Sequence, residues 1–195
     1  MKLRLLPPSK ALHPAHRVQN VERSRLEIFK RELGRLLDAL QHSAHESEEH
    51  LKNLVSDFLK DAFYKQQHFI NTKDKQDLVI HHGPKPADPV GVIVETKKPG
   101  NKAEMISPAK PNAKALHELL RYYLNERLSA GNRDIRRLVV NNIHEWYIFD
   151  AADFEKHVYN NKTLTQQYAD WREGRLGAGS TDWFYREIAA PFFEK

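Results

Sequence analysis

Two short β-branched runs interrupt an otherwise helical pattern, and they restrict the fold more than any other feature. Asp77-Leu78-Val79-Ile80 and Val92-Ile93-Val94-Glu95 carry the side chains that suit a pleated, half-buried surface. The connection between them holds Gly83, Pro84, Pro86, Pro89 and Gly91, so the spacing predicts two neighbouring strands joined by a turn-rich loop. Before them, Ile28, Phe29, Leu33, Leu36, Leu37 and Leu40 recur at three- and four-residue spacing, predicting an amphipathic helix over about 18–40. A second stripe of Leu51, Leu54, Val55, Phe58, Leu59, Ala62 and Phe63 predicts another, with Ser47 as its N-cap.

After a long loop marked by Pro99-Gly100-Asn101 and Pro108 to Pro111, a helix is expected over about 112–128, stopped by Gly131-Asn132. Strands at 137–141 and 145–149 follow, and then a helical, aromatic-rich segment whose Trp and Phe spacing favours core packing over base stacking. Strand and helix faces both need burial, so the expected class is α/β (α+β), a mixed sheet flanked by helices. At 195 residues the chain fits one large domain. We divide it into a basic N-terminal arm, 1–17, and a folded domain, 18–195.

Charge narrows the partners. Lys and Arg total 31 against 26 Asp and Glu, a net +5, and the first 17 residues hold Lys2, Arg4, Lys10 and Arg17 with no carboxylate. Such an arm suits a phosphate backbone, although a solvated arm reads the same way. No apolar run approaches the roughly 18 residues of a membrane span, and no secretory signal is evident. With no Cys there is no disulfide framework or thiolate metal site, and a cytoplasmic location is expected. His42 with His45 and the pair His81-His82 lack a third ligand in register, which weighs against zinc. His81 and His82 are expected on an exposed loop near the strand ends.

The chemistry concentrates on the second strand. Alternation puts Ile93, Glu95 and Lys97 on one face and sends Lys98 to the other. A carboxylate and an ammonium ending an apolar strand need partners. If the two strands are antiparallel with Ile80 opposite Val92, Asp77 falls opposite Glu95, and two such acids are tolerated by sharing a proton or a divalent cation. Mg²⁺ suits oxygen ligands, and Lys97 would orient or help deprotonate a bound water. On the second helix, Glu48 lies on the apolar stripe near Leu51 and Val55 whereas Glu49 points away, so Glu48 is the fourth expected member. A surface Asp and a strand-end salt bridge would account for the same residues without catalysis.

Asp77-Leu-Val-Ile followed by Glu95-Thr96-Lys97 resembles the PD-(D/E)xK nuclease superfamily. More closely, the chain is similar to the N-terminal endonuclease domain of type IIG restriction-modification enzymes. The likeness is carried by residues 46–53, 57–59, 70–73, 91–99, 101–105, 114–118 with Tyr122-Tyr123, 145–150 and 181–185. It implies a restriction-endonuclease-like fold, Asp77 and Glu95 as metal-binding acids, Lys97 as the catalytic lysine and an acid from Glu48 or Glu49. The implied cofactor is Mg²⁺, with Mn²⁺ as a substitute, and the implied substrate is double-stranded DNA. Gln76 stands where the pattern has Pro, His117 where it has Gln, and Asn141 where it has Thr.

The chain contains no Asn-Pro-Pro-Tyr motif or glycine-rich cofactor loop. The resemblance therefore implies methyltransferase and target-recognition modules lying C-terminal or on another chain. The apolar Pro191-Phe192-Phe193 is read either as a place where more chain follows or as a docked helix. The expected function is Mg²⁺-dependent hydrolysis of DNA phosphodiesters. The alternatives are a non-catalytic nucleic-acid-binding or interaction domain on a degenerate nuclease fold, and a stand-alone repair or recombination nuclease.

Overall fold

The computed structural model describes residues 6–42, 47–72, 78–177 and 179–194. Asp77, Lys2, Arg4 and His45 lie outside the described residues. Helices α1 (Pro8–Ala11) and α2 (Pro14–Arg17) form the described part of the arm, and every residue from Leu6 to Arg17 is exposed. Helix α3 (Arg23–His42) starts later than its periodicity predicts, because Val18 and Val21 find no apolar surface and remain exposed. Helix α4 (Glu48–Leu59) begins where expected: the Ser47 hydroxyl accepts the His50 N–H at 3.1 Å, satisfying one of the helix's open donors. A wider π-helical turn, Lys60–Tyr64, ends it.

Five strands form one mixed sheet in sequential order: β1 (Ile70–Asn71), β2 (Leu78–His81), β3 (Val90–Thr96), β4 (Arg137–Asn141) and β5 (Trp146–Asp150). All neighbours are antiparallel except β3 and β4, which are parallel. The anticipated register is observed, with Ile80 opposite Val92 and Leu78 opposite Val94. Strand β1 was not expected, since two residues carry no readable alternation. A parallel pair needs a long crossover, and here it is the 97–113 loop followed by α5 (Lys114–Leu124) with the wider turn Asn125–Ser129.

The remaining chain is helical: α6 (Ala151–Phe154) running into the turn Glu155–Tyr159, α7 (Lys162–Arg172), α8 (Thr181–Phe184) running into the turn Tyr185–Ala189, and α9 (Ala190–Glu194). No helix among the described residues is long and apolar enough to cross a membrane.

The central strands bury both faces, which is why they read as continuous apolar runs. On one face, Ile93, Leu138 and Val140 pack against Leu116, Leu119, Leu120 and Tyr123 of α5 and the aromatic C-terminal helices. There Phe184 lies against Trp171 and Tyr168, with ring centroids 4.8 and 5.8 Å away, so the C-terminal aromatics are core, as their spacing predicts. On the other face, Leu78, Ile80, Val94 and Val139 meet Leu36 of α3 and Leu51, Val55 and Phe58 of α4.

The expectation for His81 is corrected. It is 3% exposed within β2 and not on a loop, with Nδ1 at 2.6 Å from the Asp88 carbonyl and Nε2 at 2.9 Å from Asn71 Oδ1. His82 is exposed as expected, and its ring lies over Gly91, where an added Cβ would come within 2.9 Å of the imidazole. At the other end of the sheet Asn141 fixes the β4–β5 turn. Its amide donates to the Glu95 carbonyl and the Thr96 hydroxyl, and its oxygen accepts the N–H of Ile143, a buried residue at φ 74°.

Core and edge-strand positions differ in expected sensitivity. Leu119→Ala empties a fully buried position between α5 and the sheet and should cost about 2–5 kcal/mol, whereas Ile148→Ala on β5, 66% exposed, should change stability by less than about 0.5 kcal/mol. Urea unfolding of both variants measures the difference.

Candidate active site

Strand β3 delivers Glu95 and then Lys97 to the same end of the sheet. The Lys97 N–H donates to the Asn141 carbonyl at 2.8 Å, so the extended backbone continues past Thr96 and the alternation holds. Glu95 is 1% exposed and the Lys97 side chain 3%, so an ammonium and a carboxylate are buried together. Their Nζ–Oε1 distance is 2.7 Å.

Lys97 gathers three more acids. Glu118 of α5 stands 2.6 Å from its Nζ, reaching in from one face of the sheet. Glu48, in the first turn of α4, approaches from the other layer at 3.5 Å. Glu104, from the crossover loop, lies at 3.7 Å and is also held by Lys114 at 2.9 Å. Glu49 instead pairs with Lys52 at 3.1 Å on the exposed side of α4, so the helix phase separates the two glutamates as predicted.

Three of the four expected site residues, Glu48, Glu95 and Lys97, therefore converge. The fourth, Asp77, lies outside the described residues. Glu118 and Glu104 were not among the expected members. In the sequence Glu118 and Tyr122, one helical turn apart, read as a pair able to border an active site, a pattern that an ordinary amphipathic helix explains almost as well. Glu104 sits in an irregular loop with no periodicity to place it.

Electrostatics follows from this packing. Burial disfavours the Lys97 ammonium, but the carboxylates of Glu95 and Glu118 outweigh it and hold the proton far above the ordinary lysine range. Burial would raise Glu104, yet the hydrogen bond from Lys114 and the charge of Lys97 lower it overall. Lys114 is raised, by its hydrogen bond to Glu104 first. Four carboxylates face two ammonium groups, so the cluster retains net negative charge.

Hard oxygen donors with surplus negative charge suit a divalent ion of the Mg²⁺ type. Among the described residues no three such ligands meet in a metal-holding arrangement, and Lys97 lies within 2.7 Å of Glu95 and 2.6 Å of Glu118. The donor chemistry fits the implied ion, and occupation would require the carboxylates to share themselves between Lys97 and the metal.

His117 neighbours Glu118 in sequence but faces elsewhere. It is 8% exposed, its Nε2 is 2.6 Å from Asn112 Oδ1, and its ring stacks on Phe193 of α9 with centroids 6.0 Å apart. Burial pushes its pKa down from 6.5 to about 4. The His117 ring thus packs among α5, Tyr185 and Phe193 of α9, its centroid 6.4 Å from that of Tyr185.

These features define a mixed α/β protein with an acid–lysine cluster at the end of its central parallel strands. The family described as Domain of unknown function (DUF7149) matches residues 6–195, and the chain belongs to that family. No curated protein and no solved structure matches it significantly.

Two outcomes test this description. Lys97→Met should destabilise by about 3–5 kcal/mol, since buried carboxylates lose their cation. Glu118→Gln, destabilising in the wild type, should then become stabilising in the Lys97→Met background. A denaturant double-mutant cycle reads the reversal of sign. The depressed pKa of His117 means that the unfolded chain takes up its proton first. Stability is therefore full above pH 6.5 and is lost as pH falls toward 4. His117→Gln should remove this component, worth up to about 3 kcal/mol, from the stability curve measured between those pH values.

Proposed function

We propose that this chain is a Mg²⁺-dependent DNA endonuclease domain of the PD-(D/E)xK kind, the cleavage module of a type IIG-like restriction-modification system. The observation carrying the reading is the meeting of Glu95, Lys97, Glu118 and Glu48 at one end of β3, from three separate elements and both layers of the fold. A charged cluster assembled at such cost in desolvation is more than a strand-end salt bridge needs.

Glu95, with Asp77 as its expected antiparallel partner, would hold the ion, and Glu48 and Glu118 offer further oxygen ligands. When bound, Mg²⁺ or its substitute Mn²⁺ supplies a water of lowered pKa and polarises the phosphoryl oxygen. Lys97, in contact with Glu95 and Glu118, is placed to orient the attacking water or help deprotonate it, and to offset charge building on the phosphate. No side chain in this set is needed as a covalent nucleophile.

Double-stranded DNA is the proposed substrate, approached by a chain whose net charge is +5. Target choice and methylation belong, in this reading, to modules C-terminal to residue 195 or on another polypeptide, working in the cytoplasm. The competing reading is a nucleic-acid-binding domain without activity. It draws support from the close pairing of Lys97 with Glu95 and Glu118 at 2.7 and 2.6 Å, an ion cluster able to serve as structure alone.

Supercoiled plasmid incubated with the chain and Mg²⁺ or Mn²⁺ should be nicked or linearised, and Glu95→Gln should slow this by about 10²-fold or more. Calorimetric titration with Mn²⁺ should show binding that Glu95→Gln weakens. Equal metal affinity and equal background cleavage in both proteins would favour the inactive domain.

A further inference from the structure

One cation beside the cluster is not consumed by it. Arg121 lies one turn beyond Glu118 on α5 and is only partly exposed, yet among the described residues no carboxylate forms an ion pair with it. Its Nε donates to the Tyr185 hydroxyl at 3.0 Å, and its guanidinium lies 4.5 Å over the ring of Tyr122. Both partners are phenols. Burial pushes Tyr185 up to about 12, with Arg121 pulling it down and Glu118 and Glu95 pushing it up, so the hydroxyl is neutral and lies within the field of all three charges.

A guanidinium one helical turn from Glu118, yet turned onto two phenol rings, is an unusual arrangement, because arginines that leave water normally take a carboxylate. Lys97 is spent on Glu95 and Glu118, and Lys114 on Glu104. Arg121 is thus a partly buried cation on α5 for which, among the described residues, no carboxylate ion pair is found. Tyr185 and Tyr122 both hydrogen-bond the group and fix its plane without neutralising it, and the donors they leave suit the oxygens of a phosphate. An anionic backbone approaching the net-negative cluster needs such a group to offset repulsion.

Resting on the nuclease reading, we infer that Arg121, held by Tyr185 and Tyr122, binds a backbone phosphate of the DNA next to the Lys97 cluster. Its role is binding and positioning of substrate. It takes no part in proton transfer.

The test uses the chain as it stands, a fluorescent DNA duplex and Ca²⁺ in place of Mg²⁺, with anisotropy read across a series of NaCl concentrations. Arg121→Gln should weaken binding roughly tenfold or more and lower the slope of log affinity against log salt by about one. Arg121→Lys should restore the slope but only part of the affinity, since a point charge lacks the fork. Wild-type affinity and slope in Arg121→Gln, with melting temperature preserved, would overturn the assignment while leaving the nuclease reading intact. Absence of salt-dependent duplex binding by the wild type would instead overturn the nuclease reading and this inference together. Should Arg121→Gln fail to fold by circular dichroism, Arg121→Lys decides the matter. A loss of about threefold or more at unchanged melting temperature supports the phosphate contact, and unaltered affinity rejects it.

Discussion

The ammonium of Lys97 organises the centre of this molecule. Without it, Glu95 and Glu118 would be like charges brought together inside the protein, and their repulsion would push α5 away from the end of β3. With it, the strand, the crossover helix and the start of α4 are drawn to one point. The arrangement is costly in desolvation, so its stability depends on short contacts, and the 2.6 and 2.7 Å distances supply them. Apolar packing does the rest of the positioning: Ile93 and Leu119 fix the height of α5 over the sheet, and Val94 with Val55 does the same for α4.

Part of this is legible in the sequence alone. The two strands are legible as short apolar runs, but their register is an assumption that the pairing of Ile80 with Val92 matches, since strands buried on both faces carry no alternation to fix it. The choice of Glu48 over Glu49 follows from helix phase alone, because only one of two adjacent residues can share the stripe of Leu51 and Val55. What stayed hidden lies in irregular chain or in distant pairing. Glu104 enters from a loop without period. His81 is buried against a loop carbonyl and the amide of Asn71 on the short strand β1, partners that no spacing foretells. Arg121 meets Tyr185 across 64 residues of sequence, and neither residue by itself marks the contact.

The two glutamates contributed by the crossover also place limits on variation. Glu104 is tied by Lys114, and Lys114 opens α5, so the loop is pinned at its end by the residue that starts the helix. The backbone of Ala115 also donates to the Glu104 carbonyl, closing the loop back onto that helix. Met105, Ile106 and Ala113 anchor the following stretch in the core, so the crossover loop is held at both Glu104 and its apolar residues.

The parallel pairing of β3 with β4 carries a cost during folding as well. Forty residues of crossover must fold back before Arg137–Asn141 can take its place, and closing so large a loop precedes any gain from the contacts it brings. Until then β3 presents an open, almost wholly apolar edge. A nascent chain is most exposed to mispairing in that interval, which makes synthesis, more than the finished protein, the stage at which this architecture is vulnerable to aggregation.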